Sequence, residues 1–308
     1  MSKLAFVFPG QGSQQVGMLS DSQADLAPIF DRASHALGYD LWDLIQNGPE
    51  EKLNQTEFTQ PALLAASVGL WNLAKERGAK PDVVAGHSLG EYSALVAAEA
   101  LSFEDAVVLV QKRGQFMQSA VPLGEGSMAA ILGLDDNKVI EICEKEAGGE
   151  IVQAANFNSP GQVVVAGNVA ALERVIEACK DAGAKRAMQL AVSAPFHCQL
   201  MQPAADQMAE LLQNIEIQDP NIAVLQNVNA DYASDPGQIR ENLISQMSSA
   251  VLWSTIIERM VSDGVTQIVE CGPGKVLSGL NRRIDRSLDS NNIASSEDLE
   301  SVIGSLGS

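Results

Sequence analysis

One short segment, the sequence GHSLG at residues 86–90, constrains the fold of this chain more than any other feature. A largely apolar run at 81–85 precedes it and a helix-forming run at 91–100 follows it, which indicates a strand, a sharp turn and a helix. In such a nucleophile elbow the central serine stands in a strained turn at a helix N-terminus, and the glycines let strand and helix pass closely. The pattern predicts Ser88 as a nucleophile, in preference to a merely structural turn.

Strands and helices alternate on both sides of this elbow, which is typical of a mainly parallel α/β sheet. The order changes after residue 124. Six segments there follow the order β-α-β-β-α-β of a ferredoxin-like unit, at 128–132, 136–147, 151–156, 162–166, 169–181 and 187–192. We therefore predict a catalytic domain from residues 1–124 and 196–308, and an inserted ferredoxin-like subdomain at 125–195.

Three boundaries are predicted from local signals. Proline suits the first position of a helix, so a helix is expected to begin near Pro61 and to end at Gly78. Ser102 is expected to cap a further helix that runs to about residue 118. The Ser- and Asn-rich tail from about Asp289 is expected to be peripheral.

Charge and composition exclude several classes of function. The 308 residues carry a formal net charge of −19, which argues against a nucleic-acid-binding or anionic-membrane-binding protein. No apolar stretch approaches the roughly 18 residues that span a bilayer, and the apolar part of the N-terminus is too short for a signal peptide. The four cysteines have no metal-binding spacing, so we expect free thiols, no metal and a cytoplasmic location.

A serine nucleophile needs a base, and the chain has only three histidines. His35 is expected on a solvated helix face. His87 adjoins the serine, but neighbouring side chains diverge at an elbow, so a packing role is expected for it. His197 follows the predicted insert, where loops commonly line clefts, and it is the candidate base, with a surface loop histidine as the alternative. No particular Asp or Glu is singled out as a third member of a triad.

Four motifs resemble those of the malonyl-CoA:acyl carrier protein transacylase family in order and spacing. They are PGQGSQ at 9–14, GHSLGEY at 86–92, NFNSPGQ at 156–162 and GPGKVL at 272–277. The resemblance covers nearly the whole chain, from residue 4 to about residue 285. It implies an α/β-hydrolase-like core with a ferredoxin-like insert.

The resemblance also implies a ping-pong transfer in fatty-acid biosynthesis. Ser88 would take the malonyl group from malonyl-CoA with His197 as its general base, and an acyl carrier protein would then accept it. Backbone N–H groups of Gln11 and Leu89 would form the oxyanion hole. No cofactor is implied, because the coenzyme A thioester is the substrate, and a monomer is expected.

Two further roles rest on the resemblance alone. Arg113 matches the arginine that binds the malonyl carboxylate, and Gln246 matches the residue that orients the histidine where a triad would have an acid. The sequence departs from many members at Ser249 and Ala250, where they have Asn-Pro, which affects the expected loop geometry there. Phe196 is a bulky residue where others in the wider acyltransferase group have serine. Its bulk is expected to crowd an α-methyl group and so to favour malonyl over methylmalonyl, although malonyl-specific members with serine also exist.

The carrier proteins of this pathway are typically acidic, as this chain is, so docking requires a local basic patch. Two candidates are the pair Lys185 and Arg186 and the cluster of Lys275, Arg282, Arg283 and Arg286. Other functions also fit the same sequence. They are a thioesterase with water as the acceptor, acyl loading for a polyketide synthase, and an inactive protein that only binds carrier protein.

Overall fold

A computed structural model of the chain describes residues 2–233 and 235–306. Two separate β-sheets organise these residues. The larger is a five-stranded parallel sheet of order β7-β2-β1-β8-β9, and the smaller is a four-stranded antiparallel sheet of order β4-β5-β3-β6. The strands are β1 (Lys3–Phe8), β2 (Val83–Gly86), β3 (Gly126–Leu132), β4 (Val152–Ser159), β5 (Gln162–Asn168), β6 (Arg186–Gln189), β7 (Ala223–Leu225), β8 (Val265–Cys271) and β9 (Asp289–Ile293).

Helices cover both faces of the larger sheet and one face of the smaller. The helices are α1 (Gln23–Leu37), α2 (Leu41–Asn47), α3 (Glu50–Leu53), α4 (Thr56–Glu76), α5 (Gly90–Ala97), α6 (Phe103–Ser119), α7 (Asp136–Glu146), α8 (Val169–Asp181), α9 (Gln202–Leu212), α10 (Pro236–Gln246), α11 (Trp253–Ser262), α12 (Val276–Ile284) and α13 (Asp298–Ser305). Short 3₁₀ turns lie at Ser20–Ser22 and Gln199–Met201.

The central strand β1 shows why the larger sheet is covered on both faces. Successive strand residues point to opposite faces, and all four of its last residues are fully buried. Phe6 and Phe8 join the core that α4, α5 and α6 complete, where Phe6 meets Trp71 edge to face at 5.3 Å. Ala5 and Val7 join the core under α11 and α12. An uninterrupted apolar strand of this kind is typical of a parallel sheet, and the predicted α/β class is confirmed.

The smaller sheet confirms the predicted ferredoxin-like unit. Its elements follow the chain order β3-α7-β4-β5-α8-β6, and α7 and α8 close a separate core with the sheet. The spatial order β6-β3-β5-β4 places the first and last strands side by side, and all neighbours are antiparallel. Every strand of this sheet lies inside residues 125–195. The domain boundaries themselves stay a prediction.

Two local predictions were wrong. The tail is not peripheral, because β9 pairs in parallel with β8 as an edge strand of the larger sheet and Leu299 is fully buried. The prediction failed because β9 consists mostly of polar residues, and only Ser290 and the apolar Ile293 are buried in it, so no apolar pattern marks the strand. Helix α4 begins at Thr56, so Pro61 lies inside the helix and not at its first position.

Candidate active site

The elbow has the predicted strand–turn–helix structure, between the end of β2 and the start of α5. Ser88 has a φ of 52°, in the left-handed region that is strained for a residue with a side chain. A Cβ on Gly86 would lie 1.8 Å from the carbonyl carbon of Gly90, and one on Gly90 would lie 2.0 Å from the oxygen of Phe8. Glycine is therefore required at both positions for β2, α5 and β1 to meet.

Ser88 and His197 lie in direct contact, although 109 residues separate them. Ser88 Oγ is 2.7 Å from His197 Nε2, and His197 Nδ1 is 2.8 Å from the backbone oxygen of Gln246. Because a carbonyl only accepts hydrogen bonds, Nδ1 carries the proton and Nε2 is left to accept the serine proton. His197 is 4% exposed and also has a positive φ, of 61°.

The environment of His197 keeps its imidazole neutral. Burial, with the nearby charge of Arg113 as a second cause, lowers the pKa of His197 from 6.5 to about 3. A base with this pKa is deprotonated at neutral pH and ready to accept a proton.

Arg113 lies beside the serine and is fully buried. Its Nη2 donates to Ser88 Oγ at 3.1 Å and to Gln246 Oε1 at 2.8 Å, and its Nη1 donates to Gln60 Oε1 at 2.9 Å. Gly114 makes this possible, since a Cβ there would lie 2.6 Å from the Cα of Glu57, so α6 and α4 cross closely. Within the described ranges Arg113 Nε–H has no hydrogen-bond partner.

Gln246 touches the histidine through its backbone and the serine through its side chain. Its carbonyl accepts from the imidazole, while its side-chain Nε2 donates to the carbonyl of Ser88 at 3.0 Å. The predicted orienting contact is therefore a backbone contact, which any residue type could make. The side chain instead joins Arg113 to the elbow.

The glycine-rich loop after β1 faces the elbow. Both backbone N–H groups predicted for the oxyanion hole, those of Gln11 and Leu89, have no hydrogen-bond acceptor within residues 2–233 and 235–306. The Gln11 side chain is held by Gln60 and Thr56. Donors without an internal acceptor are what an oxyanion site requires.

Ser88 and His197 open into a cavity of about 490 Å³ between the two sheets. One wall is the glycine-rich loop with Gln11, and the other comes from the smaller sheet and the chain that follows it. That second wall consists of Met128, Asn156, Val164, residues 190–193 and Phe196. Arg113 is not part of the lining and reaches the cavity through Ser88.

The other two histidines behave as predicted. His35 is exposed on α1. His87 Nε2 is 2.8 Å from Asn158 Oδ1 on β4, and its ring packs against Trp253 at 5.6 Å. His87 thereby joins the elbow to the smaller sheet.

Two residues of the site were missed by the sequence analysis. Glu91 is fully buried in the first turn of α5. A signal for this was present in the sequence. The other residues of α5 are small, aromatic or apolar, which favours burial of the helix together with its one carboxylate. Asn227 accepts the Ser88 N–H at 2.7 Å through Oδ1. It lies two residues after β7, and no pattern in a single sequence marks it.

Clusters of metal ligands and membrane-spanning helices are both absent from the described part of the chain. No group of three or more His, Cys, Asp or Glu residues there could hold a metal ion, and the four cysteines are buried free thiols. Across residues 2–233 and 235–306, no helix combines the length and apolar character needed to cross a membrane.

A neutral histidine in contact with a serine in a strained turn is the pairing that acyl transfer through serine uses, and a buried arginine lies beside them. The chain belongs to the acyl transferase domain family, whose model matches residues 5–305. It is 53% identical over 311 residues to the malonyl CoA-acyl carrier protein transacylase of Haemophilus influenzae, covering 98% of this chain and 100% of that protein. The Bacillus subtilis protein of the same name is 46% identical over 310 residues, covering 99% and 98%.

Solved structures agree with this family. The malonyl CoA-acyl carrier protein transacylase from Coxiella burnetii matches with a TM-score of 0.98 at 46% identity, covering 100% of this chain and 98% of that one. A type II PKS acyl-carrier protein in complex with its malonyl-transacylase matches with a TM-score of 0.96 at 49% identity, covering 98% and 99%.

Proposed function

We propose that the protein transfers a malonyl group from malonyl-CoA to the phosphopantetheine thiol of an acyl carrier protein, through a malonyl ester on Ser88. The 2.7 Å contact between Ser88 Oγ and the neutral His197 carries this proposal, since it is the pairing that acyl transfer through serine requires. The relatives named above carry the same activity in their names.

The first half-reaction acylates the enzyme. His197 Nε2 takes the Ser88 proton as Oγ attacks the thioester carbonyl, and the N–H groups of Gln11 and Leu89 stabilise the oxyanion. The carbon–sulfur bond then breaks, and the proton passes from His197 to the thiolate of coenzyme A. Each oxyanion donor of this kind lowers a barrier by about 3–4 kcal/mol.

The second half-reaction returns the enzyme to its starting state. His197 takes the proton of the carrier thiol, whose sulfur attacks the malonyl ester. The ester carbon–oxygen bond breaks, and the proton returns to Ser88 Oγ. Because the same imidazole acts as base and then acid in each half, no third ionisable group is needed.

Arg113 selects the acyl group in this proposal. A buried guanidinium pairs strongly with a carboxylate, and Arg113 Nη2 lies 3.1 Å from Ser88 Oγ. Acylation also weakens Ser88 Oγ as an acceptor for Nη2. The malonyl carboxylate of the Ser88 ester can therefore take the place of Ser88 Oγ as an acceptor for this guanidinium.

The carrier protein docks on the basic cluster at α12 in this proposal. Lys275, Arg282 and Arg283 are exposed, and no described carboxylate lies within 4.0 Å of them as an ion-pair partner. The loop just before α12 passes close to Ser13 of the glycine-rich loop, because Gly274 and Ser13 line the same small pocket. Arg283 Nη1 also donates to Gln162 Oε1 of β5, so the cluster spans both sheets. The pair Lys185 and Arg186 on β6 is the second candidate.

The acyl group and the nucleophile are tested together by intact-mass measurement after incubation with malonyl-CoA or acetyl-CoA. We expect a malonyl adduct on Ser88, little acetyl adduct, and little free malonate. Rapid malonate release without carrier protein would favour the thioesterase function instead. Formation of an acetyl adduct at a similar rate would refute the proposal that Arg113 selects the acyl group by its carboxylate.

A matched pair of variants isolates the docking surface. Arg283→Glu is expected to raise the KM for carrier protein about tenfold and to leave the KM for malonyl-CoA unchanged. Arg186→Glu is the comparison variant on the second candidate patch. For either variant, an equal rise in the KM for carrier protein and the KM for malonyl-CoA would contradict docking at the patch that carries it.

Fatty-acid biosynthesis is the expected context, and a polyketide carrier protein is tested as an alternative acceptor in the same assay. The monomeric state and cytoplasmic location stay predictions.

A further inference from the structure

Glu91 is a buried carboxylate whose hydrogen-bond partners are all N–H groups. Oε1 accepts from Gln226 Nε2 at 3.0 Å, and Oε2 accepts from the Asn227 backbone N–H and from Gln246 Nε2, both at 2.9 Å. The Gln246 amide cannot be turned over, because its Oε1 already accepts from Arg113. Oε2 therefore faces two obligatory donors and can only accept; burial raises the pKa of Glu91, and these hydrogen bonds together with the charge of Arg113 oppose that rise. The first turn of α5 favours negative charge as well.

Two of these partners lead directly to the reacting residues. Asn227 Oδ1 accepts the N–H of Ser88 and its Nδ2 donates to the oxygen of Gly86, each at 2.7 Å, so it holds both sides of the strained turn. Gln246 Nε2 also donates to the carbonyl of Ser88, and its own carbonyl accepts from the imidazole. Ser88 and His197 are thus each connected to the Glu91 carboxylate through one intervening residue.

We propose that Glu91 is a positioning residue, which fixes the nucleophile elbow through Asn227 and the acceptor of the His197 imidazole through Gln246. It does not touch the imidazole, so it differs from the acid of a Ser-His-Asp triad. A buried acceptor held by three N–H donors cannot move without leaving them unpaired, which suits a group that holds a strained backbone in place. The proposal rests on the proposed roles of Ser88 and His197.

A matched control exists in Glu270, which is also buried and also accepts three hydrogen bonds. Its donors are the N–H of Leu277 and the N–H and Oγ–H of Ser278, at the start of α12. None of them leads to Ser88. Loss of either carboxylate leaves buried donors unpaired, so Glu91→Ala and Glu270→Ala are both expected to lower thermal stability.

The test compares these variants well below their melting temperatures, in the malonyl-CoA half-reaction alone. Glu91→Ala is expected to lower kcat for malonyl-Ser88 formation at least 100-fold with KM within threefold, while Glu270→Ala stays within threefold in both. The rate of Ser88 modification by phenylmethylsulfonyl fluoride should fall in parallel for Glu91→Ala. Equal losses in the two variants, or normal kcat in Glu91→Ala, would overturn the proposal.

A conservative variant keeps the test decisive if Glu91→Ala does not fold. In Glu91→Gln the amide oxygen can still accept from Asn227 and Gln246, so kcat is expected within tenfold of wild type and at least tenfold above that of Asn227→Ala. An Asn227→Ala enzyme as fast as Glu91→Gln would refute the proposed connection. Ser88→Ala separates the two proposals. If the Ser88→Ala enzyme stays active, the serine mechanism fails and the role of Glu91 fails with it. If the Ser88→Ala enzyme is inactive while the Glu91→Gln and Asn227→Ala enzymes both have normal kcat, only the role of Glu91 is refuted.

Discussion

The lowered pKa of His197 predicts an unusual pH dependence for acylation. At pH 5.0 an imidazole with the ordinary pKa of 6.5 is only about 3% neutral, whereas one with a pKa of about 3 is about 99% neutral. We therefore expect kcat/KM for malonyl-Ser88 formation to change less than threefold between pH 7.5 and pH 5.0. A base of ordinary pKa would lose about thirtyfold over the same range.

The assay is rapid quenching followed by intact-mass measurement, with malonyl-CoA well below its KM. The acylation half-reaction is used alone, so that ionisation of the carrier thiol does not enter. Enzyme held at pH 5.0 and returned to pH 7.5 must recover full activity, which excludes unfolding. A tenfold fall per pH unit below 6.5 would show that His197 titrates as a solvated histidine, and would refute the reasoning from burial.

Protein stability provides an independent check on the same pKa. Because the pKa of His197 is depressed in the folded state, its contribution to stability is complete above pH 6.5 and is lost as pH falls towards 3. The slope is about 1.4 kcal/mol per pH unit in that window. Urea unfolding should show this slope in wild type relative to His197→Ala, and parallel curves for the two proteins would contradict it.

Three further variants, one of them with a matched control, test local features by simple measurements. Gly90→Ala is expected to lower the free energy of unfolding by more than about 4 kcal/mol, because its Cβ would meet the oxygen of Phe8 at 2.0 Å. Gly304→Ala is the control, because its Cβ would have open space around it. It should change the free energy of unfolding by less than about 0.5 kcal/mol in the same urea titration. Ser102→Ala should cost about 1 kcal/mol, since Ser102 Oγ accepts the N–H of Asp105 at the start of α6, and an unchanged urea midpoint would contradict the cap. Phe196→Ser should raise kcat/KM for methylmalonyl-CoA relative to malonyl-CoA about tenfold, and an unchanged ratio would show that Phe196 does not limit the acyl group.

The fold was predictable where sequence periodicity and steric necessity act locally. The elbow follows from two glycines whose Cβ atoms would collide with backbone, and the ferredoxin-like unit follows from the order of its apolar segments. The edge strand β9 was not predictable in this way. An edge strand is half solvated, so its side chains are as polar as those of a loop.

The site was predictable only in part, for a related reason. The contact between Ser88 and His197 could be anticipated, because a serine nucleophile needs a base and the chain has only three histidines. The backbone carbonyl that Gln246 offers to the imidazole leaves no trace in the sequence, because every residue has one. Asn227 acts only through its place after β7, and a single sequence does not say which distant loop meets the elbow.

The division of the cavity between two sheets has a consequence for engineering. Ser88 and its neighbours Arg113 and Gln246 belong to the larger sheet and its helices, while Met128 and Val164, which line the cavity opposite, belong to the smaller one. A chimera that exchanges the strands and helices of the smaller sheet would alter the shape offered to the acyl group and retain the chemistry intact. The wall that the smaller sheet contributes to the cavity can therefore diversify separately from Ser88 and Arg113, provided that the contact between His87 and Asn158 is kept across the junction.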